Sequence, residues 1–148
     1  MRRSRTRVID NVVIVLRGVG VMLVLGGVSW GIGLLCYRLS LWLFFHETPS
    51  PGDWQAVLLW SGLVFLLALP FPLWFFTLTL HERISGPRRI VVVPLIVAMT
   101  ALVPTTLTGI LEVGAGGFSP EVFLFCVLFA VAAAAFALAF ELIADRLI

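Results

Sequence analysis

The chain has 148 residues, of which 61% are hydrophobic and 12% charged, against about 45–50% and 25% in a soluble domain. With two cysteines, two histidines and a net charge of +2, the chain excludes a disulfide scaffold and a rich metal centre, and gives no case for a polyanionic partner. What remains is an all-α integral membrane protein, a single domain over 1–148 built as a compact bundle of four transmembrane helices.

The first apolar stretch covers 12–37 and follows Arg2, Arg3, Arg5 and Arg7. A helix needs about 20 residues at 1.5 Å each to cross 30 Å of hydrocarbon. The stretch exceeds that length and has no A-x-A site after it, so it reads as a retained span and not a cleaved leader. Residues before Cys36 lack the small side chains of a lipid-modified cysteine. At about 100° per residue, Arg17, Gly20, Gly27 and Gly31 share one arc, and Gly27-x-x-x-Gly31 is a close-packing spacing.

Between Arg38 and Trp54, the run Leu39 to Phe45 suits the membrane interface, with Trp42 and Trp54 at headgroup depth, and Pro49, Ser50, Pro51 and Gly52 make a turn. The second span is expected at 55–80 and the third at 90–111. Pro70 and Pro72 in one, and Pro94 and Pro104 in the other, remove backbone donors and favour kinks. Thr100, Thr105, Thr106 and Thr108 can bond the freed carbonyls or neighbouring helices. The alternative is a polar lining, in which Thr105, Thr108 and Glu112 share a face with Pro104 near the helix end, opening a shallow outward-facing cavity. Residues 114–117 form a glycine-rich turn.

The fourth span, 122–144, carries Glu141 on an arc with Ala130, Ala134 and Ala137. A small-residue face with one charge therefore occurs on both the first and the fourth helix. The expectation is that these faces pack together and that Arg17 and Glu141 form an intramembrane ion pair near the inner boundary; the alternative is that each side chain reaches the headgroups alone. In that packing Cys36 and Cys126 point apart and stay free thiols.

Orientation follows the arginines. Residues 2–7 and the segment with Arg83, Arg88 and Arg89 hold most of them, whereas the opposite loops hold only Arg38, so both termini are expected in the cytoplasm. All ten basic residues are arginine, a bias of GC-rich bacterial genomes, which places the chain in a bacterial cytoplasmic (inner) membrane.

Chemistry-bearing motifs are scarce. His46 and His81 fall on opposite sides of the membrane, so no cofactor, haem or shared metal is expected. No nucleophile elbow, Ser/His/Asp set or phosphate loop appears. His81-Glu82-Arg83 is the densest polar cluster and reads as a solvated helix end. The basic N-terminus is accounted for by topology and anionic lipid, not nucleic acid. The leading reading is a non-catalytic subunit or helper that packs against other membrane protein subunits or itself. The alternatives are a small oligomeric channel or transporter and, behind it, a membrane enzyme with an unmarked site.

Overall fold

A computed structural model describes residues 2–114, 116 and 119–147, with side chains at 2–6, 113, 145 and 147 outside the description. Over these residues the chain is all-helical: α1 (Arg2–Ser40), α2 (Pro51–Leu63), α3 (Pro70–Arg83), α4 (Arg89–Val113) and α5 (Pro120–Leu147). Four helices are long and apolar enough to cross a membrane, at Arg7–Phe45, Pro51–Ala68, Arg89–Glu112 and Pro120–Ala144. Of the turn expected at 114–117, residues 115 and 117 lie outside the described residues, as do the side chains of Arg2, Arg3 and Arg5.

Helix α1 starts ten residues before the expected span and, through a π-helical turn at Leu41–Phe45, ends eight residues after it. The run expected in the interface is thus helical, because nothing between Ser40 and Phe45 breaks a helix. His46 ends it in a left-handed conformation, φ 53°. Pro49 follows, and Ser50 caps α2 by accepting the Asp53 N–H at 3.2 Å while donating to the Asp53 carboxylate at 2.5 Å. Pro51 opens the helix, where its missing N–H costs nothing. Across this loop the Arg38 guanidinium lies 5.6 Å from the Trp54 ring centre, a cation–π contact.

The second crossing is interrupted at Pro70. Without a donor there, the preceding turn, Val64–Ala68, is π-helical, and the Leu69 N–H reaches back to the Val64 carbonyl at 2.8 Å. The break is seated on α1 at Gly26, where a Cβ would stand 3.3 Å from the Phe65 carbonyl and 3.4 Å from Pro70 Cγ. One turn away, Trp30 Nε1 donates to Ser61 Oγ at 2.8 Å, and Ser61 Oγ donates to the Val57 carbonyl at 2.6 Å. The indole covers Gly62, where a Cβ would come within 3.1 Å of it.

Helix α4 stays α-helical through Pro94 and Pro104. Thr100, Thr105 and Thr108 donate to the carbonyls of Ile96, Ala101 and Pro104. These are ordinary carbonyls four residues back, not those of Ile90 and Thr100 that the prolines leave without a donor.

Helix α5 is the most buried of the four spans and packs extensively along both α4 and α1. Phe65, Phe136, Phe140, Leu128, Val93 and Val97 are its fully enclosed partners and members. Tyr37 of α1 meets Phe125 edge-on at 6.1 Å, Gly33 sits against Leu128 and Ala132, and Arg17 and Arg146 line one groove. These contacts make α1 and α5 antiparallel, and they put about residues 22–24 of α1 level with Glu141.

The first and fourth spans do pack together, but through the faces opposite to those expected. A Cβ on Gly33 would fall 2.9 Å from Ala132 Cβ and 3.1 Å from the Leu128 carbonyl, whereas Gly20 and Gly31 have nothing within 4 Å and Gly27 only grazes Leu66. The buried stripe of α1 is Gly26, Ser29, Gly33 and Leu34. On α5, Ala130, Ala134 and Ala137 lie about half a turn from Leu128 and Ala132 at 100° per residue, so they face away from α1 and toward α4. The reason is the tight seat at Gly33, where the backbones approach more closely than any larger residue allows.

Candidate functional site

Polar side chains gather at the end of the bundle where α3 stops and α4 begins. Arg83 and Arg89 are joined by a short link whose Gly86 takes φ 91°, a conformation costly for other residues. The tight turn sets the last turn of α3 beside the first of α4, so His81 and Arg89 stand together. Glu141 of α5 comes between them: its Oε2 lies 2.7 Å from Arg89 Nε and 2.9 Å from His81 Nδ1. The Glu141 side chain has no solvent exposure, against 14% for His81 and 23% for Arg89.

The surroundings are apolar. Phe140 stands edge-on to His81 at 5.9 Å and to Trp74 at 4.8 Å. Thr77, one turn before His81 on the same face, is fully buried, and neither its hydroxyl nor Glu141 Oε1 has a hydrogen-bond partner among the described residues. A carboxylate held by two nitrogens from two other helices is a three-helix staple. Burying a charge this way is favourable only when it is paired.

This arrangement replaces the expected Arg17–Glu141 ion pair. Arg17 is exposed, and it lies about 8–10 Å further along the bundle axis than Glu141, given the antiparallel register and 1.5 Å per residue. Glu141 also points to the side of α5 remote from α1. His81, expected in a solvated helix end, and Arg89, expected only as a marker of orientation, are the two cations that reach it. Glu82 is exposed and takes no part.

A second feature opens at the other end of α4. Thr105, Thr108 and Glu112, the alternative polar lining, border a groove of about 520 Å³ with Pro104, Phe125, Phe129, Trp60, Val64 and Leu69. A neighbouring hollow of about 320 Å³ shares Pro104, Thr105, Thr108, Glu112, Phe125 and Phe129 and reaches Cys126. The groove is mostly apolar, because the threonine hydroxyls are turned onto their own helix. Cys126 is buried, its thiol 3.5 Å from the Thr105 carbonyl, and Cys36 is exposed; both are free.

Among the described residues, no three His, Cys, Asp or Glu side chains are grouped to hold a metal ion. Neither of these two cavities is lined by Glu141, His81 or Arg89. Comparison of the chain with protein-family models, with curated proteins and with solved structures finds no match.

Proposed function

We propose that this chain is a non-catalytic helper or subunit of a larger membrane complex, resident in a bacterial cytoplasmic membrane with both termini in the cytoplasm. The observation that carries the reading is the mismatch between α1 and the rest of the bundle. At 39 residues, α1 is about 58 Å long, nearly twice the hydrocarbon thickness. In its N-terminal part, Val8, Ile9, Val12, Val13, Ile14, Val15 and Leu16 are each more than half exposed.

A run of exposed apolar side chains here suits a partner protein better than water. The polar groups point the same way: the one buried carboxylate among the described residues is engaged in holding helices together. Arginines at 2–7 and between α3 and α4 support the cytoplasmic orientation, and the prolines at 70, 72, 94 and 104 support bends in the second and third crossings. A photo-crosslinking residue at Val13 or Val15 is expected to trap one distinct membrane protein; adducts only with lipid or with the same chain contradict the reading.

The lateral groove at Thr105, Thr108 and Glu112 favours a second reading, a small oligomeric channel or transporter. Solute or ion flux through liposomes holding the purified chain, lost on Glu112→Gln, would support it.

A further inference from the structure

A groove of about 370 Å³ lies between α1, α3 and α5, lined by Ile14, Arg17, Gly18, Val21, Trp74 and Arg146. We infer that it binds the phosphate of an anionic phospholipid headgroup, with Arg17 and Arg146 as the two phosphate ligands.

The two arginines come from helices at opposite ends of the chain, and the antiparallel register of α1 and α5 brings them to one level. Both are exposed, and among the described side chains no carboxylate lies within ion-pair distance of either. Asp10 is on the same side of α1 as Arg17 but two turns further on, about 10 Å away along the axis. Two guanidinium groups on one concave surface repel each other unless an anion sits between them, and their planar forks match phosphate oxygens two at a time.

The rest of the wall suits a lipid better than a free ion. Trp74 stands edge-on against Phe140 and lines the groove beside the two arginines, a neighbour suited to headgroup depth. Gly18 has nothing within 4 Å of where a Cβ would stand, which leaves room for a glycerol backbone, and Val21, one turn into the span from Arg17, presents apolar surface to an acyl chain. Arg83, Arg88 and Arg89 mark the same end of the bundle, so the groove opens at a headgroup layer. Basic grooves between membrane helices are the usual seats of anionic headgroups.

The test is the melting temperature of the full-length, lipid-depleted protein in mixed micelles. Phosphatidylglycerol or cardiolipin is expected to raise it, because a ligand bound only to the folded state stabilises it, while phosphatidylcholine is not. Arg17→Gln and Arg146→Gln should each at least halve the increment, the double variant should abolish it, and lysine at both positions should restore part of it. These variants fold if they melt like the wild type without lipid, as expected for exposed residues. Inorganic phosphate giving the same rise would overturn the lipid assignment. Equal loss of the increment in Arg83→Gln/Arg88→Gln would show diffuse attraction and overturn the site.

Discussion

Glu141 on α5 lies 2.7 Å from the Nε of Arg89 at the first turn of α4, and this pair, with His81, ties three helices at one end of the bundle. A carboxylate there without its cation would be a bare charge out of water. Removing one member of a buried pair costs about 3 kcal/mol or more.

Glu141→Gln and Arg89→Gln are therefore each expected to lower the melting temperature clearly in detergent, and the double variant to lose less than the sum of the two, since loss of Arg89 matters only while the buried carboxylate is there to need it. Arg17→Gln in the same lipid-depleted detergent should leave the melting temperature unchanged. If Arg17→Gln destabilises as much as Arg89→Gln, the staple is wrongly assigned.

Gly33→Ala and Gly31→Ala separate the two faces of α1. A methyl at 33 collides with Ala132 and the Leu128 backbone, an overpacking cost of about 1–3 kcal/mol. At 31 it meets open space, and alanine should be neutral or slightly stabilising. Thermal unfolding of both variants checks this, and the opposite ranking would put α5 on the Gly27/Gly31 face.

Ser61→Ala deprives the Trp30 indole N–H of its acceptor. Hydrogen bonds between membrane helices contribute about 1 kcal/mol, so a modest fall in stability is expected, together with a shift in tryptophan emission. Thr77→Val removes a buried hydroxyl without a hydrogen-bond partner and is expected to be neutral or stabilising; a loss as large as that of Glu141→Gln would mean the hydroxyl serves the carboxylate.

Orientation is checked with single cysteines at Thr48 and Ser85, both exposed, in a Cys36→Ala/Cys126→Ala background. An impermeant maleimide should label position 48 in intact cells and position 85 only after lysis. The reverse pattern would invert the topology.

Hydropathy made the number of crossings plain, because four apolar stretches of span length admit few other arrangements. The faces were not plain. Gly27-x-x-x-Gly31 and Ser29-x-x-x-Gly33 are equally good small-residue spacings on α1, and what separates them is contact with Leu128 and Ala132 some hundred residues away. Glu141 was visible as a charge needing a partner. Its partner was ambiguous because Arg17, His81 and Arg89 all fall near one boundary, and only the register of α1 on α5 excludes Arg17. The arc of Thr105, Thr108 and Glu112 was readable since it depends on one helix alone. The exposure of residues 8–16 was hidden, as it depends on which side chains the other helices cover.

A partner on the exposed N-terminal part of α1 is tested most directly by the mass of the complex extracted from the native membrane in mild detergent, with its components identified, for the wild type and for Val13→Asn/Leu16→Asn. A hetero-complex is expected with the wild type, and its loss in a variant that still melts normally. A wild-type chain that travels alone or only with copies of itself would contradict it.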